Sequence, residues 1–491
     1  MISLNEKNIY RLFNRLKRIA VHAERIGLNN LSLKCVEAAA RTAYIFQLCF
    51  KDDELEKILR RISVKLKQSN NFTAQEGKVV FFDSLCSHRG GLTTQYLRAL
   101  MNKGFEILYL SEKDVSKGNA KDIASELETY GKSKISVIPK KLRGIERAQY
   151  IYDIITGFAP SQLYMHILPN SGVACCAFNA LPSSIERWLI NMTDHTFGIG
   201  AECVDYSLEF RDYGCDISAQ LRSVEKSHIF LQPFYPVMDP IPFEGLPEAK
   251  GRKTILTGCT NIYKVIDSKD TFFRILKQIV ADIPNVLIYF AGAGDKDQRA
   301  ILSELLSKYD LTEFVVPLGM RKDIYEVFKR ADIFLNTYPM GGGLMLQYAA
   351  QTSTPIVAFS DRGTHAAEES VCQVGNVTLT HTTIDSLIKE INLLVTDDNY
   401  RRERGEAVKK CVVTPTSFNE SFAHIIDERI NVFDFKFKKE EQFQGKSVSE
   451  QLVIENKTFE FQKSLVYLLR ADIIWIAPIA AMNFIIDLIR K

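Results

Sequence analysis

The feature that most constrains the fold is an alternation of short apolar runs with helix-length segments, which occurs twice along the chain. The first series begins with VVFFD at 79–83 and ends with QLYMHI at 162–167. The second begins with TILTG at 254–258 and ends with PIVAF at 355–359. Such runs are typical of strands that are buried on both faces, and the segments between them are long enough for parallel crossover helices. The sequence therefore predicts an α/β protein with two doubly wound, Rossmann-like sheets.

The same pattern divides the chain into four segments. Residues 1–74 carry apolar positions at helical spacing and are predicted to form an N-terminal all-helical domain of three helices. Residues 75–245 are assigned to the first Rossmann-like domain, residues 246–415 to the second, and residues 416–491 to a C-terminal helical tail. The proline-rich stretch 234–253 is interpreted as the linker between the two sheets. We expect the two sheet domains to face each other across a cleft, which is a favoured place for a ligand.

The composition is that of a soluble globular protein, since 46% of the 491 residues are apolar and 25% are charged. The net charge of +3 does not indicate a nucleic-acid partner. The ten cysteines contain no CxxC pair, so neither a zinc site nor a disulfide framework is predicted. The N-terminus lacks the uninterrupted apolar core of a secretory signal, and we therefore expect a cytoplasmic protein.

The longest uncharged apolar run is IIWIAPIAAMNFII at 473–486, which is shorter than the ~20 residues that cross a bilayer. Two arrangements are open for this run. It packs back on the first sheet domain, or it lies at the inner face of the cell membrane with Arg490 and Lys491 beside the lipid head groups. The N-terminal helices are expected to bind an acceptor or a partner subunit.

Three consecutive glycines, Gly341, Gly342 and Gly343, stand between the strand-like run DIFLN and a helical segment. Glycine permits positive φ angles and close backbone approach, and the free amides at the start of a helix attract anions. In open α/β sheets the ligand lies beyond the carboxyl ends of the strands, where this loop falls. No Lys-Ser or Lys-Thr follows the glycines, and the spacing is not GxGxxG. The loop predicts a site for a large anion such as a pyrophosphate; a flexible turn is the alternative.

The stretch ADIFLNTYPMGGGLMLQYAAQTSTPIVAF at 331–359 resembles the donor-site region of bacterial glycosyltransferases with the two-Rossmann GT-B fold. The resemblance extends over roughly 250–415 and is weaker over 76–240. It implies that a set of residues binds a nucleotide-sugar donor: Lys264 at the diphosphate, Gly319 and Arg321 at the turn that borders the base, and Tyr338, Gly341, Gly342, Gly343 and Gln347 in the loop and helix. For Lys264 an ordinary surface cation is the alternative, and for Arg321 a surface ion pair or cap.

The sequence departs from part of that family at two positions. Many retaining members carry two glutamates eight positions apart in this region, and Pro339 and Gln347 stand there in this chain. The stretch LNTYPMGGG is more similar to the inverting relatives, which include the O-linked N-acetylglucosamine transferases and the bacterial protein N-glucosyltransferases. Some of these relatives also carry an N-terminal helical domain. The resemblance therefore implies transfer with inversion.

Transfer with inversion needs a general base that takes the proton of the acceptor, and a histidine or a carboxylate can do this near neutral pH. Asp194 and His195 are the candidate catalytic residues, in the stretch NMTDHTFGIGAECVDYSLEFRDYG that we interpret as a loop. A hydrogen-bonding corner is the alternative for this pair. His88 is the competing histidine, and with Gly90 and Gly91 it is assigned to an acceptor-side loop.

The predicted function is transfer of a hexosyl or N-acetylhexosaminyl group from a nucleotide diphosphate sugar, with UDP favoured, to a glycan, lipid-linked or protein acceptor. No DxD-type pair stands at a strand end, so no metal and no other cofactor are expected. Lys264 and helix-terminal amides are instead predicted to stabilise the departing nucleoside diphosphate. Two alternatives remain: a catalytically inactive glycan-binding or partner-stabilising subunit, and a nucleotide-sugar epimerase or hydrolase of GT-B fold.

Overall fold

The computed structural model describes residues 6–69, 71–88, 92–118, 120–361, 366–372, 376–438 and 452–490. The chain forms two compact units. Residues 1–232 and 418–491 belong to the first unit, and residues 233–417 belong to the second. Each unit contains one sheet whose strand pairs are parallel, which confirms the predicted α/β class.

Three helices precede the first strand, as the helical spacing of the N-terminal residues predicts. They are α1 (Glu6–Arg25), α2 (Asn29–Phe46) and α3 (Asp53–Ser63). The carboxylate of Asp52 accepts a hydrogen bond from the Leu55 amide at 3.1 Å and so caps α3. A carboxylate at this position also interacts favourably with the positive end of the helix dipole.

The first unit contains a seven-stranded sheet with the order β3-β2-β1-β4-β5-β6-β7. The strands are β1 (Gln75–Asp83), β2 (Glu106–Ser111), β3 (Ser133–Val137), β4 (Pro160–His166), β5 (Glu186–Ile190), β6 (Tyr206–Glu209) and β7 (Ile229–Leu231). The helices between them are α4 (Thr93–Asn102), α5 (Ala120–Tyr130), α6 (Gly144–Phe158), α7 (Gly172–Ala180) and α8 (Asp212–Gln220). The winding direction reverses between β1 and β4, which makes their carboxyl ends the switch point of this sheet.

The interpretation of 191–214 as a loop was wrong in part, because this stretch contains β6 and the start of α8. The strand is only four residues long and ends in Glu209, so it lacks the apolar run that identifies the other strands. Pairing with β5 and β7 on its two sides holds it in the sheet.

One hydrophobic core joins the N-terminal helices to the first sheet. Val36 of α2, Leu59 of α3, Phe82 of β1 and Phe178 of α7 are all buried in it. The rings of Phe82 and Phe178 meet edge to face, with centroids 5.0 Å apart. The helical segment therefore packs as a layer of the first unit.

Two glutamates of the N-terminal helices accept hydrogen bonds from backbone amides of the sheet layer. The Glu37 carboxylate accepts from the Val173 amide at 3.1 Å, at the start of α7. The Glu56 carboxylate accepts from the amides of Gly200 and Ala201 at 2.8 and 3.2 Å. Burial raises the pKa of Glu56 to about 7, because desolvation of the charged carboxylate outweighs these hydrogen bonds.

The last helices of the chain pack on the first unit, which is one of the two arrangements that the sequence leaves open. They are α16 (Pro415–Glu428), α17 (Leu452–Leu469), α18 (Ile473–Ile476) and α19 (Pro478–Arg490). Phe418 and Phe422 of α16 lie edge to face against the Tyr96 ring, at centroid distances of 5.2 and 5.8 Å. Phe461 and Leu465 of α17 are buried in the core that contains α2.

Across the described ranges, no single helix has both the length and the apolar character of a membrane span. The segments Phe461–Ile476 and Pro478–Ile486 reach that length and apolarity only as a pair, and this pair is bent by 117°.

The second unit contains a six-stranded sheet with the order β10-β9-β8-β11-β12-β13. The strands are β8 (Lys253–Cys259), β9 (Val286–Gly292), β10 (Val315–Gly319), β11 (Ile333–Leu335), β12 (Ile356–Phe359) and β13 (Thr380–His381). The helices are α9 (Thr271–Asp282), α10 (Lys296–Lys308), α11 (Ile324–Phe328), α12 (Gly343–Gln351), α13 (Ala366–Val371), α14 (Ile384–Thr396) and α15 (Asp398–Cys411). The switch point of this sheet lies between β8 and β11.

The carboxyl ends of β8 and β9 approach so closely that two positions accept only glycine. Gly258 has φ +137°, and a Cβ there would lie 1.9 Å from the carbonyl oxygen of Ala291. Gly292 has φ +123°, and a Cβ there would lie 1.9 Å from the carbonyl oxygen of Cys259. The two glycines therefore fix the direction in which the chain leaves β8 toward the candidate site.

We expect Glu56→Gln to change the pH dependence of unfolding. Glu56 holds its proton up to a pKa of about 7 in the folded chain, against an ordinary value of 4.5. Between these values the folded state binds more protons, so the free energy of unfolding of the wild type falls as pH rises. The variant lacks this change, and relative to the wild type it should gain about 2 kcal/mol between pH 5 and pH 8.

Urea unfolding across this pH range measures the difference. The control is Ser63→Ala, which removes a buried hydroxyl from the same helix without removing a titrating group. A difference between Glu56→Gln and the wild type that stays constant with pH would contradict the buried, protonated Glu56.

Candidate functional site

The structure brings Lys264 and the three glycines together at the switch point of the second sheet. Lys264 lies in the 3-10 turn Ile262–Val265 after β8, and the glycines follow β11, which is the neighbouring strand. The backbone amide of Met340 donates a hydrogen bond to the carbonyl oxygen of Lys264 at 3.2 Å. The two loops that the sequence assigned to the donor diphosphate are therefore linked directly.

Asn336, which sequence reasoning missed, holds the glycine loop in place. Its side-chain oxygen accepts a hydrogen bond from the Gly342 amide at 3.1 Å. A Cβ on Gly341 would lie 2.7 Å from the side-chain nitrogen of Asn336. Thr337 adds a hydrogen bond from its hydroxyl to the Met340 carbonyl oxygen at 2.7 Å. Close approach to Asn336 explains the need for glycine at Gly341.

Positive φ is not the reason for the triple glycine, although the sequence allowed for it. The glycines with positive φ do not include Gly341, Gly342 or Gly343. A Cβ on Gly342 or Gly343 would make only ordinary van der Waals contacts. At these two positions the lack of a side chain leaves the backbone accessible, so that a ligand can reach the Gly343 amide.

The first turn of α12 presents amides without a side-chain cap. The N-cap residue is Gly342, which makes no side-chain hydrogen bond to the helix. The first N–H groups of a helix have no partner within it, and the positive end of the helix dipole lies at the same place. The start of α12 therefore offers hydrogen-bond donors to an anion.

Lys264 is a partly buried cation that lacks an acidic partner. Within the ranges that the structure describes, no carboxylate forms an ion pair with its ammonium. Burial lowers the pKa of the Lys264 ammonium, because desolvation disfavours the charged form. An anion bound beside it would favour the charged form. The lack of a paired carboxylate in the described residues distinguishes Lys264 from the surface cations that form ion pairs.

Gln347 and Tyr338 pack inside the second unit. Gln347 is 1% exposed, and its side-chain nitrogen donates to the carbonyl oxygen of Ser370. The carboxylate of a glutamate at this position would be repelled by that carbonyl oxygen, whereas the neutral amide of Gln347 donates a hydrogen bond to it. The Tyr338 ring lies edge to face on Phe359, with centroids 5.1 Å apart, and thereby supports the glycine loop.

The turn after β10 contains Gly319 and Arg321. Gly319 has φ +66°, a left-handed conformation that glycine adopts without strain. Both Nε and Nη2 of Arg321 bond the Asp323 carboxylate, at 2.7 and 2.6 Å. Its Nη1 donates to the Gly245 carbonyl oxygen at 2.8 Å. Arg321 thus forms an ion pair, which is one of the alternatives that the sequence left open for it. Its hydrogen bonds stabilise the turn that contains Gly319.

The two candidate catalytic residues of the first unit differ in burial and in charge partners. Asp194 is fully buried, and its carboxylate oxygens lie 2.5 and 2.9 Å from Nε and Nη2 of Arg211. Burial alone would raise the pKa of Asp194, but Arg211 and His195 hold it well below its usual range. The carboxylate therefore stays ionised and is occupied by its partners.

His195 is one third exposed, with 34% of its side chain accessible. Its Nδ1 lies 3.4 Å from the Asp194 carboxylate, and its Nε2 has no hydrogen-bond partner in the described part of the chain. Arg222 donates to the carbonyl oxygens of Thr193 and Thr196 and so holds the backbone on both sides of the pair. The imidazole is therefore held through Nδ1 by a buried acid, and its ring is partly exposed.

His88 lies in the loop after β1, as the sequence predicts, and its side chain is buried there. Its Nδ1 lies 3.0 Å from the Thr94 hydroxyl and 3.8 Å from the Glu126 carboxylate, which also pairs with Arg98 at 2.6 Å. The two glycines assigned to the same loop, Gly90 and Gly91, lie outside the described residues. Whether this loop contacts an acceptor stays a prediction.

A buried polar cluster at the switch point of the first sheet was not found from the sequence. Asp83 ends β1, and its carboxylate lies 3.0 Å from Nδ1 of His166, which ends β4. It also accepts hydrogen bonds from the hydroxyls of Thr93 and Tyr109 at 2.7 and 2.8 Å. Burial would raise the pKa of Asp83, but His166 and the hydrogen bonds lower it to about 2. The one sequence feature that could have indicated this cluster is the polar residue that ends each of the two strands, Asp83 in β1 and His166 in β4.

Comparison with known proteins agrees with this geometry. Residues 253–397 match the family model described as glycosyl transferases group 1. Comparison with curated protein sequences gives no match.

Among solved structures, an O-GlcNAc transferase mutant of Thermobaculum terrenum is 14% identical, with a TM-score of 0.55 over 80% of this chain and 76% of that chain. Anabaena HepE in complex with UDP and glucose is 14% identical, with a TM-score of 0.52 over 71% of this chain and 99% of that chain. A TarM mutant of S. aureus, in complex with fondaparinux, α-GlcNAc-glycerol and UDP, is 12% identical, with a TM-score of 0.52 over 72% of this chain and 100% of that chain.

The two parallel sheets and these structural similarities define the GT-B fold, which confirms the fold predicted from the sequence. The segment 253–397, which matches the group 1 glycosyl transferase model, contains both Lys264 and the glycine loop. The chain thus has the GT-B fold, and its second unit contains a segment that matches a glycosyl transferase family model.

We expect Asp194→Asn and His195→Gln to affect stability very differently. The first variant leaves the Arg211 guanidinium without its buried counter-charge, which should lower the free energy of unfolding by about 3 kcal/mol. The second changes a partly exposed ring, so its effect should stay below about 1 kcal/mol. Urea unfolding of both variants at neutral pH provides the measurement, and equal losses would contradict the central role of the Asp194–Arg211 pair.

Proposed function

We propose that the protein transfers a hexosyl or N-acetylhexosaminyl group from a UDP-sugar to a glycan, lipid-linked or protein acceptor, with inversion and without a bound metal. The observation that carries this proposal is Lys264, a cation that pairs with no carboxylate of the described residues and is hydrogen-bonded through its backbone to the loop that starts α12. Anabaena HepE and S. aureus TarM were both solved with UDP, which supports UDP as the nucleotide. The group 1 domain supports the transfer reaction itself.

The donor diphosphate supplies the negative charge that this site lacks. Lys264 meets it as a compact cation, and the amide of Gly343 at the start of α12 donates a hydrogen bond to its oxygens. When the bond between the sugar C1 and the β-phosphate oxygen breaks, the electron pair and the charge remain on that oxygen. Donors that are already in place stabilise this charge in the transition state.

His195 takes the proton of the acceptor hydroxyl or amide in this proposal. The Asp194 carboxylate, 3.4 Å from Nδ1, favours the tautomer with the proton on Nδ1 and leaves Nε2 as the base. The acceptor atom then bonds to C1 on the face opposite the leaving phosphate, which inverts the configuration. Asp194 acts as a positioning residue, because its own oxygens are occupied by Arg211 and His195.

Gln347 supports inversion rather than retention. The resemblance places a glutamate of many retaining enzymes at this position, whereas the buried amide here donates to Ser370 and carries no charge. The ten cysteines are all free, which favours a reducing, cytoplasmic location. Polysaccharide biosynthesis and protein glycosylation in a bacterium both fit a transferase of this kind, and the TarM complex with α-GlcNAc-glycerol and fondaparinux supports a glycan partner.

We expect Lys264→Ala to weaken UDP binding by on the order of 10- to 100-fold, because it removes a charged hydrogen-bond donor from a diphosphate. Calorimetric titration with UDP, GDP, dTDP and CMP, in EDTA and then in magnesium, measures this. Lys269→Ala is the matched control, since Lys269 is an exposed cation of the same loop. Binding that requires magnesium would overturn metal independence. No binding of any nucleotide would favour an inactive glycan-binding or partner-stabilising subunit.

We expect His195→Gln to lower the release of UDP from UDP-glucose or UDP-N-acetylglucosamine by about 100- to 10,000-fold in the presence of a bacterial glycan extract. The affinity for UDP should stay unchanged, since the residue does not bind the donor. His424→Gln, on the exposed side of α16, is the control. Turnover that survives in His195→Gln would assign the base to another residue.

A further inference from the structure

The C-terminal helices have one buried face and one exposed apolar face. Leu469, Ile473 and Ile476 pack into the core of the first unit. On the opposite side Ile474 is 71% exposed and Trp475 is 49% exposed. Further large apolar side chains are exposed along α19 at helical spacing: Ile479, Met482, Ile485, Ile486 and Ile489. We call Ile474, Trp475 and these five residues the C-terminal apolar face; single exposed apolar residues are ordinary, but a contiguous set indicates a contact surface.

A basic stripe runs along the exposed side of α1. Its members follow one another at intervals of three or four residues and are all exposed: Lys7, Arg11, Arg15, Arg18, His22 and Arg25. In the described residues, none of the lysines and arginines of this stripe forms an ion pair with a carboxylate. Glu24 of the same helix is instead turned inward, where it pairs with Arg61 at 2.9 Å. The stripe is therefore an uncompensated positive surface.

A direct contact joins the basic stripe to the C-terminal apolar face. Nη2 of Arg15 donates a hydrogen bond to the carbonyl oxygen of Trp475 at 2.8 Å. Nearby, Lys34 pairs with Asp472 at 2.8 Å, so the acidic residue that precedes α18 is neutralised. Positive charge and exposed apolar area thus belong to one continuous surface of the first unit.

We propose that this surface docks on an anionic phospholipid bilayer, with α18 and α19 lying in the plane of the interface. Apolar side chains and tryptophan favour the boundary between head groups and acyl chains, and lysine and arginine favour anionic head groups. The bent pair α17–α19 suits lying on a membrane rather than crossing it. Association with a second copy is disfavoured, because an isologous contact would bring two basic stripes together. This inference does not depend on the proposed sugar transfer.

Tryptophan fluorescence tests the proposal in the unmodified full-length chain. The sequence contains two tryptophans; Trp188 is fully buried and Trp475 is about half exposed. A blue shift and protection from acrylamide on adding vesicles would therefore report on Trp475. We expect both with vesicles of equal parts phosphatidylcholine and phosphatidylglycerol, and much less with phosphatidylcholine alone. Trp475→Phe should lose the signal and still sediment with the vesicles.

Two variants separate the charged and apolar contributions in vesicle co-sedimentation. The double variant Arg11→Gln with Arg18→Gln should lower the partition coefficient between vesicles and buffer by about 25-fold, because each charge removed lowers it about fivefold. Ile474→Ser with Ile485→Ser should lower it about tenfold or more.

The matched controls remove the same kinds of side chain elsewhere. Lys409→Gln with Lys410→Gln removes two exposed charges from α15, and Leu393→Ser with Val432→Ser removes two exposed apolar side chains. Neither control should change partition.

Three results would overturn the proposal. The protein fails to bind anionic vesicles, it binds them equally in the variants and the controls, or analytical ultracentrifugation finds a lipid-free dimer that Ile474→Ser with Ile485→Ser dissociates. The last result would assign the surface to a second copy of the chain. Thermal unfolding of each variant verifies that it is folded.

Discussion

The hydrogen bond from the Met340 amide to the Lys264 carbonyl oxygen is the contact on which the candidate donor site depends. It joins the loops that follow β8 and β11, and these two strands are neighbours because the winding of the sheet reverses between them. Gly258 and Gly292 set the course of the chain before the first loop, and Asn336 holds the second. A cation and a row of free amides thus meet at one place although they are far apart in sequence.

The ionisable groups that support the fold form ion pairs within the protein, whereas the candidate functional groups do not have their charge or ring nitrogens fully paired. Asp194 with Arg211, and Arg321 with Asp323, are buried or partly buried pairs whose charges are satisfied within the protein. Among the described residues Lys264 has no such partner, and His195 contacts its acid through Nδ1 alone. A paired group contributes to the fold, whereas an unpaired group retains the capacity to bind or to exchange a proton.

The sequence predicted the parts of the fold whose signal is local. The strands β1, β2, β8 and β9 each contain consecutive apolar residues, and the glycine loop follows β11, which contains them too. The four-residue β6 was missed, because its side chains alternate in polarity and its position depends on pairing with β5 and β7. Spacing alone could not distinguish a base-binding Arg321 from one paired with Asp323, nor show that Glu56 of α3 is turned inward, because both depend on contacts between distant segments.

The first unit is discontinuous in sequence, since residues 1–232 are completed by residues 418–491. On a translating ribosome the second unit, which is one uninterrupted stretch, has all of its residues outside the exit tunnel before the last helices have been made. The first unit still lacks Phe461, Leu465 and Ile476 at that time, and these side chains fill part of its core. Completion of the earlier-synthesised half therefore awaits synthesis of these three residues, and a chain that stops before them exposes apolar surface of the first unit to the quality-control machinery of the cell.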